Sequence, residues 1–171
     1  MENKLRLSGI IRESIVDGPG IRMVVFAQGC KHNCYGCHNP ATHDLMGGYE
    51  TTIGNILKAI KENPLLQGVT FSGGEPFLQA ETFAILAREI HKLNLDVLVY
   101  TGYTIEQLID GIDENPAWRD LLSEADTLVD GPFIMAQRSL SIKFRGSKNQ
   151  RVIDPRASIK AKKAIEKGFT L

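Results

Sequence analysis

Two hydrophobic periods alternate along this chain and set out its elements in order. Leu5 to Arg12 predicts an early strand, followed by a turn at Asp17-Gly-Pro-Gly20. Arg22 to Gln28, with Met-Val-Val-Phe at its centre, is a short apolar run of the kind a buried strand presents. Residues 29–48 have no apolar periodicity and are rich in Gly, Pro and Asn, which predicts a long loop; loops of this length in compact domains are usually functional. At Thr52 the period becomes helical, with Ile53, Ile56, Leu57 and Ile60 on one face and an end near Asn63-Pro64. Val69 to Phe71 predicts a strand running into Ser72-Gly-Gly-Glu-Pro76, and Ala80 to Leu93 a helix with Phe83, Leu86, Ala87 and Ile90 as its stripe. Asp96 to Tyr100 predicts a strand, and Thr104 to Ile109 and Trp118 to Leu122 two short helices. Thr127 to Val129 and Arg151 to Ile153 are further strands, and Pro155 opens a last helix expected to run to about Lys167.

Strands alternating with helices point to an α/β fold with a mostly parallel sheet. No repeat, low-complexity segment or linker divides the chain, so residues 1–171 are expected to form a single domain. A complete eight-unit barrel takes about 250 residues, so a shortened, open (β/α) barrel fits this length better. In such folds the site lies at the carboxyl ends of the strands. The loop after Gln28 and the segment Ser72–Pro76 both follow predicted strands, so they are expected to share one mouth.

Composition changes this picture little. Hydrophobic residues make up 43% and charged residues 23%, and equal numbers of basic and acidic side chains give a formal net charge of zero. No overall field therefore steers the molecule to nucleic acid or lipid, although a local basic patch stays open. No apolar run approaches membrane-spanning length, and Met1-Glu-Asn-Lys-Leu-Arg lacks the apolar core of a signal peptide. The three cysteines, Cys30, Cys34 and Cys37, all lie within eight residues, which argues against a disulfide framework and for a reducing cytoplasm.

The candidate chemistry sits on those cysteines. Cys30-Lys-His-Asn-Cys34-Tyr-Gly-Cys37 has the spacing C-x3-C-x2-C, and thiolates are soft ligands for zinc and for iron–sulfur clusters. A four-iron cubane normally takes four cysteines; three would leave one iron open to a chelating small molecule. The alternative is a zinc site completed by His32, His38 or His43. The second motif, Gly73-Gly74-Glu75-Pro76, reads on its own as a turn, and no Lys-Ser/Thr pair follows to make it a phosphate-binding loop.

Taken together and in this order, the two motifs resemble the radical S-adenosylmethionine (SAM) superfamily. The resemblance implies a 4Fe–4S cluster on Cys30, Cys34 and Cys37, with SAM chelating the fourth iron through its amino and carboxylate groups. It places Gly73, Gly74 and Glu75 against the methionine amino group and Gly36, Cys37 and His38 along the adenine side. Asp17-Gly-Pro-Gly-Ile-Arg22, Gln28-Gly-Cys30 and His38-Asn39-Pro40 are similar to the glycyl-radical-enzyme activases. Tyr100-Thr-Gly-Tyr103, Leu128-Val-Asp-Gly-Pro-Phe133 and Arg145-Gly-Ser-Lys-Asn-Gln-Arg151 resemble, within those, the activases of the anaerobic ribonucleotide reductase. The implied fold is a shortened, open barrel of the radical SAM type. The implied partners are the glycyl-radical subunit of an anaerobic ribonucleoside-triphosphate reductase and a reduced flavodoxin or similar electron donor, with neither nucleic acid nor membrane. A pyruvate formate-lyase-type activase, to which His38 is also similar, is the alternative within the superfamily.

Other residues keep two readings at this point. Asp17–Gly20 is a tight turn or shapes the site, and His38 is loop chemistry or packing. Arg145, Lys148 and Arg151 form a solvated face or dock a partner or substrate phosphate. Asp130 orients the ribose of SAM, binds a partner, or caps a helix or turn. Lys160, Lys162, Lys163 and Lys167 are expected to be the wet face of the last helix.

Overall fold

In the computed structural model, residues 3–30, 32, 44–139 and 144–168 are described. Strands β1 (Lys4–Ser14), β2 (Arg22–Ala27) and β3 (Tyr49–Thr52) precede helix α1 (Ile53–Lys61). Strand β4 (Gly68–Gly73) leads through a 3-10 turn at Pro76–Gln79 into α2 (Ala80–His91), and β5 (Asp96–Tyr100) into α3 (Ile105–Asp110) and α4 (Pro116–Glu124). Strands β6 (Thr127–Asp130) and β7 (Arg151–Ile153) and helix α5 (Pro155–Ala161) complete the order.

The seven strands form one open sheet in the order β3-β1-β2-β4-β5-β6-β7. The centre, β2-β4-β5-β6, is parallel, whereas β1 and β3 on one side and β7 on the other run antiparallel. The open α/β architecture is as expected, with antiparallel edges added to a parallel centre.

Side chains alternate across the strands. Met23, Val25, Val69, Phe71, Val97, Val99 and Leu128 face the helices, where Ile56, Ile60, Phe83, Leu86 and Ile90 meet them in one core. Burying each such side chain contributes about 1.5–3 kcal/mol. On the other face Val24, Thr70, Leu98 and Val129 are also buried. The turn after β1 crosses this inner face, where the Thr70 hydroxyl donates to the Asp17 carbonyl at 2.7 Å. Arg22, 1% exposed, closes the amino end of the sheet. It donates to Thr70 Oγ1 (2.8 Å), the Pro19 carbonyl (3.0 Å) and the Val69 carbonyl (3.1 Å), and pairs with Asp96. The Asp17–Gly20 turn is thus fastened to the sheet through Thr70 and Arg22.

Helix boundaries follow local chemistry. The Thr52 hydroxyl accepts from Asn55 N at the start of α1, Thr104 and Gln107 form a capping box on α3, and the Asp154 side chain caps α5 with Pro155 behind it.

Two elements differ from the sequence expectation. Strand β3 fills the gap between the expected loop and the expected helix and takes in Thr52, the helix's expected first residue, because Tyr-Glu-Thr-Thr carries no apolar signal; its pairing with Lys4–Leu7 makes it a strand. Helix α5 ends at Ala161, not near Lys167. Lys162 is left-handed (φ 56°), and the chain turns back so that Asp154 N donates to Ile165 O and Lys167 N to Val152 O. The four lysines therefore do not share a helix face, and the Lys167 ammonium donates to Asp126 O and Thr127 Oγ1.

Candidate functional site

The carboxyl ends of β2, β4 and β5 converge on one cleft. Beyond Ala27 the chain passes Gln28 and Gly29 to Cys30; beyond Ser72 it passes Gly73 and Gly74 to Glu75. These ends continue the parallel pairing past the strands, with Gly74 N donating to Ala27 O (2.8 Å) and Glu75 N to Gly29 O (2.7 Å). Gly73 makes the approach possible. Its φ is +96°, and a Cβ there would lie 2.6 Å from both the nitrogen and the oxygen of Ala27. Gly29 and Gly131 also adopt positive φ (both +102°), so the mouth is built largely of bare backbone. Cys30, His32, Gly73, Gly74, Thr101 and Gly131 line the cleft.

Glu75 is the fully buried centre of this end. Its carboxylate accepts from Gly102 N (2.8 Å), Thr101 Oγ1 (2.9 Å), Phe77 N (3.1 Å) and His32 Nε2 (2.6 Å). The ring of His32 meets Tyr103 edge-on, with centroids 4.5 Å apart, and Tyr103 in turn packs on Trp118. Burial, then the nearby Glu75 and Cys30, push the Tyr103 phenol above its ordinary range. Tyr100 is held protonated more strongly, by burial and then by Asp17 with Arg22 opposing, and its hydroxyl donates to the Phe144 carbonyl at 2.6 Å.

Of the expected site residues, Cys30, Gly73, Gly74 and Glu75 come together here. Cys34, Gly36, Cys37, His38 and His43 lie outside the described residues. Asp130 and Arg151 prove to be framework. The buried Asp130 carboxylate accepts from Ile105 N at the start of α3 (2.8 Å) and from Arg151 Nη2 (2.6 Å), and Arg151 also reaches Glu106 (2.5 Å). That pairing raises the Arg151 pKa further and lowers that of Glu106. The Gln150 side chain closes its own loop, accepting from Gly146 N and Ser147 N and donating to Gly131 O. Arg145 donates to the Gln150 carbonyl (3.3 Å).

The paired strand ends match a known sequence pattern. The model of the 4Fe-4S single cluster domain matches residues 16–153, a span that includes the cysteines and Gly73–Glu75. An anaerobic ribonucleoside-triphosphate reductase-activating protein of Vibrio cholerae is 34% identical over 145 residues, which is 80% of this chain and 89% of that protein. This chain belongs to that family, the anaerobic ribonucleoside-triphosphate reductase-activating proteins. A pyruvate formate-lyase-activating enzyme of Clostridium pasteurianum is 48% identical over 81 residues, 44% of this chain and 34% of that enzyme. Among solved structures, QueE from Escherichia coli overlies 59% of this chain and 54% of its own at a TM-score of 0.47 and 15% identity.

Membership of the reductase-activating family agrees with the resemblance drawn from C-x3-C-x2-C and Gly73-Gly-Glu75, and it favours the cluster over the zinc alternative. The donor set fits such a cluster: Cys30 stands at a strand end and lines the cleft beside the backbone of Gly73 and Gly74. Among the described residues no helix is long and apolar enough to cross a membrane.

Sequence reasoning missed two things at this site. The first is the pairing of His32 with Glu75 across 43 positions. The second is the use of Thr101 and Gly102, which the Tyr100-Thr-Gly-Tyr103 match had marked only as a likeness.

Proposed function

We propose that this activating protein installs a glycyl radical on an anaerobic ribonucleoside-triphosphate reductase by reductive cleavage of SAM. The observation that carries the reading is the meeting of Cys30, at the end of β2, with the Gly73–Gly74 cradle at the end of β4. When bound, the cluster and SAM supply one-electron cleavage of the C5′–S bond, giving methionine and a 5′-deoxyadenosyl radical that takes a hydrogen atom from a glycine Cα.

The chain's own residues hold and enclose that chemistry. Cys30, Cys34 and Cys37 would hold the cluster through three of its irons, leaving the fourth for SAM. Gly73, Gly74 and Glu75 form the wall beside the methionyl end, where bare backbone permits close approach. By the family resemblance, Gly36, Cys37 and His38 would border the adenine. At the amino end Arg22 and the Asp17 turn pack over the buried inner face beneath. The open carboxyl end admits a loop of a large partner, because hydrogen transfer needs near-contact geometry.

Further parts of this reading are a reduced flavodoxin or similar protein as electron source and a reducing cytoplasm, which suits three neighbouring thiols. A single domain over residues 1–171 accords with the one sheet. A second reading, activation of a pyruvate formate-lyase, draws on the 48% identity over 81 residues.

The test is anaerobic mixing of the reconstituted protein with SAM, a reductant and each candidate partner, followed by electron paramagnetic resonance. A glycyl radical on the reductase supports the proposal, and one on the formate-lyase alone transfers it to the second reading. Cys34→Ala is expected to lose both the cluster and deoxyadenosine release. Zinc without sulfide in the wild-type protein, or unchanged turnover in Cys34→Ala, defeats the enzymatic account.

A further inference from the structure

We infer that the Glu75 carboxylate is a positioning group that acts through His32, and that it does not itself pair with the ammonium of SAM. It holds the imidazole of His32, a residue two positions from both Cys30 and Cys34 in sequence, against the wall of the cleft. This deepens the function proposed above and rests on it.

A count of donors leads there. A carboxylate offers about four lone-pair sites. In Glu75 four donors occupy them: Gly102 N–H and His32 Nε2 at Oε1, Phe77 N–H at Oε2, and the Thr101 hydroxyl at 2.9 Å from both oxygens. The residue is 0% exposed, so no site is left for a ligand's ammonium. A carboxylate only accepts, so the proton in the 2.6 Å contact belongs to His32 Nε2. The ring is fixed on its other sides as well. Tyr103 stands edge-on to it at 77°, and Gly102 forms its floor, where a Cβ would come within 2.5 Å of His32 Cδ2.

His32 keeps 16% of its side chain exposed and lines the same cleft as Cys30 and Gly73. It stands midway between the first two cysteines, and two residues of chain reach at most about 7 Å. Anchoring it therefore limits the travel of both neighbouring ligands. The linkage also adds side-chain bonds to the pairing of neighbouring strands, because Glu75 sits at the end of β4 and takes two of its donors from the end of β5.

The full-length protein, reconstituted anaerobically, tests this with four variants: His32→Leu, His32→Gln, Glu75→Gln and the double variant of His32→Leu with Glu75→Gln. The readings are iron and sulfide per chain, the paramagnetic resonance spectrum of the reduced cluster with and without SAM, and the SAM dissociation constant from the spectral change. His32→Leu and Glu75→Gln are each expected to raise that constant roughly ten- to a hundredfold, the range typical of partners that orient a ligand site. The double variant should be no worse than the poorer single one. Gln at 32 keeps an N–H at similar reach and should bring SAM affinity back towards wild type. Normal SAM binding in His32→Leu, or losses that multiply in the double variant, overturns the inference.

Should Glu75→Gln not fold, Gly102→Ala takes its place, because it leaves the carboxylate intact and pushes a methyl group into the ring. Wild-type SAM affinity in Gly102→Ala likewise overturns the inference. A wild-type protein whose cluster ignores SAM defeats the parent function, and the inference with it. A wild-type protein that responds to SAM while the singles behave independently defeats the inference alone.

Discussion

Arg22 offers a sharp test of how the amino end of the sheet is closed. Its side chain is 1% exposed, and its guanidinium serves Thr70, Pro19, Val69 and Asp96 together. Arg22→Met keeps most of the volume and removes every one of these donors. Breaking a buried ion pair by deleting one partner costs about 3–5 kcal/mol. The Asp96 side chain is 52% exposed and rehydrates, and the cost of burying the cation also disappears. Together these discount the loss to about 2–3 kcal/mol. For a chain of this length that corresponds to a fall in Tm of about 4–12 °C. Arg22→Lys should lose nearly as much, since one ammonium cannot span four acceptors on three segments. Asp96→Asn should cost under about 1 kcal/mol, as expected for a half-exposed partner. The assay is urea unfolding of the apo-protein under reductant, followed by far-ultraviolet circular dichroism, with the midpoint and slope both fitted. Arg22→Met within about 0.5 kcal/mol of wild type, or Asp96→Asn as damaging as Arg22→Met, would refute this account.

Two other outcomes follow from the same structure. Gly73→Ala places a methyl group against the Ala27 backbone at a φ of +96°, so it should cost more than about 2 kcal/mol and lower iron uptake on reconstitution; uptake and unfolding midpoints equal to wild type would count against the strand-end pairing. Burial opposes ionisation of Asp126, but the Val97 N–H, His91 and Arg156 together hold its carboxyl below the ordinary range. A depressed carboxylate contributes stability that is present above the unfolded pKa, about 3.9, and lost as pH falls through the folded value. Unfolding of the apo-protein at a series of pH values should therefore show a loss below about pH 4 that is smaller in Asp126→Asn; an identical acid profile in the variant would dismiss this pairing.

Much of the fold was legible because its apolar runs are short and cleanly bounded. Arg22–Ala27, Val69–Phe71 and Asp96–Tyr100 carry β-branched or aromatic residues at strand length, and Thr52 and Thr104 mark helix starts with caps that the structure uses. Strand β3 was hidden because a polar edge strand is held by pairing, not by burial. Helix α5 was overrun because Lys-Lys-Ala-Ile-Glu-Lys has good helix propensity, which the return pairing of Glu166 with Ile153 overrides. At the site, Cys30 and Gly73–Glu75 declared themselves through spacing and residue type. The roles of Asp130 and Arg151 did not, since only the folded chain shows a buried carboxylate capping α3 and pairing with β7. The same holds for His32 and Glu75, which only tertiary structure brings together.

The two ends of this sheet solve opposite problems with opposite chemistry. At the amino end nothing needs to enter, and a buried guanidinium stitches β2, β4 and β5 to the Asp17 turn. Side-chain charge suits that task because it demands unique geometry and tolerates no gap. At the carboxyl end a ligand must lie against the strands, so side chains are removed and backbone pairs directly with backbone, as Gly74 does with Ala27. Bare backbone leaves the cleft with little to fix its own shape. The Glu75 carboxyl group is turned inward, where it accepts from four donors of its own strand end, the end of β5 and His32. A carboxylate facing the cleft would have attracted the ligand but left those segments joined by backbone pairing alone. Facing inward, it fixes the walls of the cleft, and the open position on the metal is left to fix the ligand.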